Sequence, residues 1–191
     1  DRQPGADGTI VRRHQEDFCQ ALSVPPELKY EEEGGPGVSQ VESLIAQVAR
    51  RPAAERLTLH RMLIFHYLIG NADAHAKNYA LLYRTDTPDL APVYDAVCTA
   101  VYPQLNKQLA MQIGGRALPD TIHRKHWLAL VRDTKAAQRL LLKEISAMTT
   151  AVQREADTLI DSLRGSAAYH PVLKKVRRVI ETRARLLQRL N

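Results

Sequence analysis

The chain is poor in cysteine: Cys19 and Cys98 are its only two among 191 residues. Two thiols do not make a disulfide framework, so a reducing cytoplasm is the expected compartment. No apolar run approaches the ~18–20 residues of a membrane-spanning helix, and no signal-peptide pattern opens the chain. Neither internal repeats nor low-complexity segments are present, which excludes a solenoid or a repeat array. Methionine occurs only at Met62, Met111 and Met148, and the first residue is Asp1. A natural translation product normally begins with Met, so the expectation is a fragment, a processed chain or a trimmed one. Aromatic residues are scarce, and the composition is otherwise that of an ordinary globular protein with room for one sizeable core. The net charge of +6 favours acidic partners, nucleic acid among them, without identifying any.

What is present is organised around helices. "DRQPGADGTI" reads as a loop, and "HQEDFCQAL" as a short helix with Phe18, Ala21 and Leu22 on one side. "VPPELKYEEEGGPG" is dense in proline and glycine and reads as a long irregular connection. Ser39 with Glu42 has the S-x-x-E pattern of a capping box, and Val41, Leu44, Ile45 and Val48 follow at helical spacing. Pro52 is expected to end that helix. From about Ala54 to Ile69 the pattern is too apolar for a surface stripe, which predicts a central buried helix. "YALLYR" and "LAPVYDAV", separated by "TDTPD", predict a small β ribbon, with "KQLAMQI" a candidate third strand. Helices are expected over roughly 123–133, 135–147, 149–164 and 170–190.

Between the central helix and the ribbon lies "LIGNADAHAKNYALLY", where Asp73, His75, Lys77 and Asn78 fall within six residues. Such polar density between two apolar segments is costly to bury without partners. The pattern is D-x-H-x-x-N, and Asp95 in "PVYDAV" follows 22 residues after Asp73. Phosphotransferase loops place a base and a metal ligand in this way. An Asp there orients or deprotonates a hydroxyl, and an Asn oxygen ligates Mg²⁺ without adding charge. A hairpin between Asn78 and Asp95 would return the second carboxylate beside the first group.

The stretches "HQEDFCQAL", "PPELKYEEEGGPG", "FHYLIGNADAHAKNYALL" and "LAPVYDAV", in this order, resemble the C-terminal lobe of HipA-type serine/threonine protein kinases, the toxins of HipA/HipB-like toxin–antitoxin modules. The resemblance is close over about residues 1–115. It implies a mainly α, protein-kinase-like C-terminal lobe with a small β ribbon beside the catalytic loop. Residues 1–38 would be an irregular segment following the hinge. The stretch 39–122 would hold the central helices, catalytic loop and ribbon, and 123–191 the C-terminal helices. By position, Asp73 becomes the catalytic aspartate, and His75, Ala76, Lys77 and Asn78 contact the nucleotide. Tyr94 and Asp95 lie at the nucleotide, Asn78 and Asp95 hold Mg²⁺, and Gln15 lies near the site. Asp1 and Arg2 would directly follow the hinge strand. The implied cofactors are ATP and Mg²⁺, and the implied partners a HipB-like antitoxin and a protein substrate, aminoacyl-tRNA synthetases among the family's targets. The outcome implied for the cell is growth arrest. Asp95 is followed by Ala96 and Val97 where typical kinases have D-F-G, a departure that matches the HipA pattern.

No phosphate-covering loop, strand lysine or hinge of an N-terminal lobe is visible in the chain. "GGPG" at 34–37 follows no strand. Taken alone, the chain is therefore expected to have little or no kinase activity. Simpler roles exist for the same residues: Asp73 as a turn former, His60 and His66 as core histidines, Lys77 as a solvated cation, and Gly34, Gly35 and Gly37 as backbone devices. The last segment carries Lys174, Lys175, Arg177, Arg178, Arg183, Arg185 and Arg189 opposite an apolar stripe that runs to Leu190. It is either a solvated amphipathic face or a surface for DNA phosphates or an acidic partner, and Arg116, Arg124 and Lys125 carry the same ambiguity. Two competing functions follow: a non-catalytic module that binds antitoxin, DNA or protein, and a metal-dependent hydrolase built on His66, Asp73 and His75.

Overall fold

The computed structural model describes residues 2–189. Asp1 and Leu190 lie outside the described residues. The chain opens with a hairpin, β1 (Arg2–Pro4) antiparallel to β2 (Ile10–Arg12), where a loop was expected. Its turn is set by the Asp7 side chain, which accepts from Thr9 N at 3.1 Å and from Thr9 Oγ1 at 2.6 Å. This local side-chain bonding substitutes for a backbone turn.

Strand β3 (His14–Asp17) leads directly into the four-residue helix α1 (Phe18–Ala21). The expected helix over "HQEDFCQAL" is thus half strand. The Asp17 carboxylate caps α1 by accepting from Gln20 N at 2.9 Å, which fixes where extended backbone ends. Helix α2 (Val38–Val48) starts two residues earlier than the S-x-x-E pattern predicts. Its cap is Gly37, whose N–H donates to Gln40 Oε1 at 2.7 Å. Glu42 is drawn instead to His60 and Arg56 on the next helix. Pro52 opens rather than closes a helix: it is the first residue of α3 (Pro52–Ile69), where its missing N–H costs nothing.

Helix α3 is the axis of the fold. Leu59, Leu63, Ile64, Tyr67 and Leu68 are all buried, which satisfies the all-round apolar pattern. Strand β4 (Ala80–Tyr83) follows the polar cluster and pairs antiparallel with β3 on one side and with β5 (Asp89–Leu90) on the other. The ribbon is therefore real, but its third strand is β3, with Gln15 opposite Leu82. "KQLAMQI" forms no strand, and only Asp89–Leu90 of the second arm is regular.

Four helices were expected after 123, and three form among the described residues. Helix α4 (Arg124–Leu128) is shorter than predicted, and α5 (Lys135–Leu163) runs unbroken through the expected junction near residue 148. Neither Gly nor Pro interrupts α5, and buried Thr149 returns its hydroxyl to Ile145 O at 2.7 Å, so it does not end the helix. Helix α6 (Val172–Gln188) buries Ile180, Ala184 and Leu187. Trp127 of α4 is fully buried and meets Tyr67 edge-to-face at 5.4 Å. Arg61 of α3 pairs with Glu144 of α5 at 2.8 Å. The helical base thereby holds α3, and α3 holds the loop at its C-terminal end.

Candidate active site

Helix α3 ends at Gly70, whose backbone is left-handed at φ +72. A Cβ there would meet Val179 Cγ1 at 2.5 Å and Ala100 Cβ at 2.9 Å, so glycine serves both conformation and close packing. The chain reverses here and leads into the polar cluster, of which Asp73 and Lys77 are half-buried and His75 and Asn78 buried. Ala72 N donates to Thr99 Oγ1 at 2.8 Å, Ala100 N to Gly70 O at 3.0 Å, and Ala110 N to Ala72 O at 2.9 Å. Two downstream segments thus clamp the loop.

Asp73 is half-buried, and its Oδ1 accepts the Tyr30 hydroxyl at 2.7 Å. His75 is buried, its Nδ1 has no hydrogen-bond partner among the described residues, and its ring meets Tyr30 edge-on at 5.4 Å. Burial, reinforced by Lys29, moves His75 below the ordinary imidazole range, so it is neutral at physiological pH. Ala76–Asn78 form one short helical turn, and Asn78 N donates to His75 O at 2.8 Å. The turn points the Asn78 side chain inward, where its Nδ2 donates to Asp95 Oδ2 at 2.6 Å. Asn78 Oδ1 is buried with no hydrogen-bond partner among the described residues. Asp95 is exposed and left-handed at φ +53, an uncommon state for a non-glycine residue.

Tyr94 reaches back to donate to Lys77 O at 2.6 Å, and the Gln15 side chain bonds to the same phenol. Burial holds the Tyr94 phenol up at about 12. The residues that the resemblance assigned to the nucleotide and metal, His75 to Asn78, Tyr94 and Asp95, thus meet at one loop, with Gln15 at its margin through β3. Arg2 lies exposed on β1.

Two residues that matter here were missed. Asn71 is 1% exposed; its Nδ2 donates to Asp95 O at 3.2 Å and lies 3.1 Å from His66 Nδ1, and its Oδ1 accepts from Asp73 N at 3.0 Å. One amide thus ties α3, Asp73 and Asp95 together. The available signal was an Asn directly after a helix-ending Gly and two residues before an Asp, a setting for local side-chain turns. Tyr30 carried no signal, since it lies 43 residues from Asp73 in an irregular stretch.

A cavity of about 440 Å³ opens beside the loop, lined by Tyr30, Glu33, Asp73, Thr99, Asn106 and Gln108. A second, of about 310 Å³, shares its Thr99, Leu105 and Leu109 wall and extends to Arg178 and Thr182 of α6. The donor set suits a hard cation: the orphaned amide oxygen of Asn78 and the adjoining Asp95 carboxylate are both oxygen ligands. No group of three His, Cys, Asp or Glu converges on a metal position among the described residues. His66 instead lies inside the core, held down to about 4 by burial. The His66–Asp73–His75 hydrolase arrangement does not assemble.

A buried helix, a loop bearing Asp and Asn, a short ribbon and a returning Asp define a kinase-like C-terminal lobe. The profile of the HipA-like C-terminal domain family matches residues 1–160, and the chain belongs to that family. It is 39% identical over 172 residues to Y4mE of Sinorhizobium fredii, covering 86% of this chain and 41% of that protein. It is 33% identical over 156 residues to the serine/threonine-protein kinase toxin HipA of Shewanella oneidensis, covering 76% of this chain and 35% of that one. The chain thus spans less than half the length of these relatives. Among solved structures, the fold matches a chain of the Shewanella oneidensis HipA, HipB and operator DNA complex with TM-score 0.86 at 23% identity, over 100% of this chain and 48% of that one. It also matches the Helicobacter pylori proinflammatory kinase CtkA with TM-score 0.56 at 14% identity, over 93% of this chain and 67% of that one.

Proposed function

We propose that this chain is the catalytic C-terminal lobe of a HipA-like serine/threonine kinase, which transfers the γ-phosphate of ATP to a protein hydroxyl. The observation that carries the reading is the Asn78–Asp95 pair, which leaves Asn78 Oδ1 buried and without a hydrogen-bond partner among the described residues. Buried polar atoms without partners are rare in folded proteins, and an unfilled ligand position is one physical reason for them.

In this reading Asp73 accepts a hydrogen bond from the acceptor hydroxyl and takes its proton as the oxygen attacks the γ-phosphorus. The bond from that phosphorus to the β-phosphate oxygen breaks, and ADP leaves. Asn78 and Asp95 would hold Mg²⁺, which when bound neutralises charge on the phosphates. His75, Ala76 and Lys77 would contact the nucleotide, with Tyr94 bonded to Lys77 O and Gln15 reaching Tyr94 from β3. Residues 39–122 carry the chemistry and 123–191 support it. The rest of the ATP cleft would come from an N-terminal lobe, and this lobe by itself would transfer little phosphate. Partners follow the family: a HipB-like antitoxin, DNA, and a translation protein such as an aminoacyl-tRNA synthetase as acceptor, all in the cytoplasm. No described helix is long and apolar enough to cross a membrane.

The test is Asp73→Asn in the full-length polypeptide that contains this chain. Radiolabel transfer from ATP should fall by about 10³-fold or more, with the unfolding midpoint unchanged, because the amide keeps an oxygen for the Tyr30 bond but cannot take the proton. Normal transfer by a folded variant removes the role. A binding-only module is favoured by one observation: Lys174, Lys175, Arg178 and Arg185 of α6 are exposed. Retention of antitoxin and operator DNA by a chain that never transfers phosphate would select it.

A further inference from the structure

We propose that Tyr30 is a positioning residue for Asp73: its hydroxyl occupies one carboxylate oxygen, so that only the other is presented to the acceptor. The proposal rests on the phosphotransfer reading above. The phenol donates to Asp73 Oδ1 at 2.7 Å, while Asp73 N donates to Asn71 Oδ1 at 3.0 Å. The residue is thereby held at its backbone and at one end of its side chain.

Tyr30 is itself held. His75 meets its ring edge-on at 5.4 Å, and the Lys29 ammonium lies 5.0 Å above the ring centre. Tyr30 O accepts from Glu33 N at 3.1 Å and from Gly35 N at 2.9 Å. Gly35 has to be glycine, since a Cβ there would meet Leu28 O at 2.3 Å and Tyr30 O at 2.7 Å. The next residue, Glu31, donates its N–H to Ala110 O at 3.1 Å, and Ala110 N donates to Ala72 O at 2.9 Å. A continuous set of backbone bonds thus joins the turn that carries Tyr30 to the loop that carries Asp73, although 43 residues separate them.

The chemistry of the pair is one-directional. Burial, and then the bond to Asp73, push the phenol up to about 12, so it remains a protonated donor at working pH. It keeps its proton while the second Asp73 oxygen receives the proton of the acceptor hydroxyl. Both residues line the cavity of about 440 Å³, so an acceptor entering there meets a carboxylate that has lost its freedom to rotate. The terminal torsion of an Asp is broad and roughly two-fold, and holding it in advance is orientation that would otherwise be found during the reaction.

The experiment is Tyr30→Phe, which keeps the ring and its packing, in the full-length polypeptide. Expected is a fall in kcat of about tenfold, with KM for ATP and the unfolding midpoint unchanged. A wild-type kcat in Tyr30→Phe, beside an active parent, overturns the Tyr30 role alone. A parent with no phosphotransfer overturns the kinase reading, and this role with it. Spectrophotometric titration of the Tyr30 phenol, by difference from Tyr30→Phe, adds a readout that needs no activity. In Asp73→Ala the phenol should titrate nearer the ordinary tyrosine range, and an unmoved titration overturns the bond itself.

Discussion

The Asn78 amide donates to Asp95 Oδ2 at 2.6 Å across a sequence gap of 17 residues, and this bond orients both groups at once. With its nitrogen committed to the carboxylate, the amide leaves its oxygen buried and without a partner among the described residues. Asp95 in turn sits in a left-handed backbone conformation that costs about 1–3 kcal/mol. Its carbonyl is held by Asn71, and its carboxylate by Asn78.

In the proposed kinase reading, Asn71 is the residue whose loss would separate metal binding from fold. In Asn71→Ala the Asp95 carbonyl and the Asp73 N–H each lose their side-chain partner. The Mg²⁺ concentration needed for half-maximal activity should rise on the order of 10–100-fold, the usual effect of removing a group that orients a ligand. A Mg²⁺ titration of the full-length enzyme measures it. An unchanged requirement would show that Asn78 and the local backbone suffice to hold Asp95.

Gly70→Ala tests how closely α6 seals the loop. The new methyl would meet Val179 Cγ1 at 2.5 Å and sit on a residue with φ +72. Strain and overpacking together should destabilise the protein by about 2–4 kcal/mol, read from the urea midpoint. A neutral result would mean that α6 gives way without cost.

His66 predicts acid sensitivity. It is held near 4 in the folded chain by burial, against about 6.5 unfolded. Between those values the unfolded chain binds a proton that the folded chain does not. The contribution is fully present above about pH 6.5 and lost as pH falls toward 4, by up to about 3 kcal/mol. Urea unfolding at pH 7 and pH 5 should show the loss in the wild type and a smaller one in His66→Gln. Equal losses in both would assign the acid sensitivity to other groups.

Much of this molecule was legible from its residues. The buried axis α3 is written in the density of Leu, Ile and Tyr between Pro52 and Gly70, because only a helix covered on all sides is apolar all round. The loop announced itself by polarity between apolar runs, and the motif order marked the family resemblance. Local chemistry was harder to read where two local signals competed. Ser39–Glu42 looked like a cap, yet Glu42 bonds across to His60 and Arg56. Two helices were expected to meet near residue 148, yet α5 runs through it, and the Thr149 and Thr150 hydroxyls return to the carbonyls four residues before.

The sequence by itself determined the helical class, the place of the polar loop and the residue types on it, since periodicity and polarity are local properties of the chain. Only the tertiary structure decided that β3, polar and without alternation, becomes the ribbon's third strand by pairing His14 with Tyr83. Only it set Tyr30 on Asp73 and Asn71 on Asp95. These contacts join residues 69, 43 and 24 positions apart, and their pairing is chosen by how α3, α5 and α6 pack, which no short window of residues encodes.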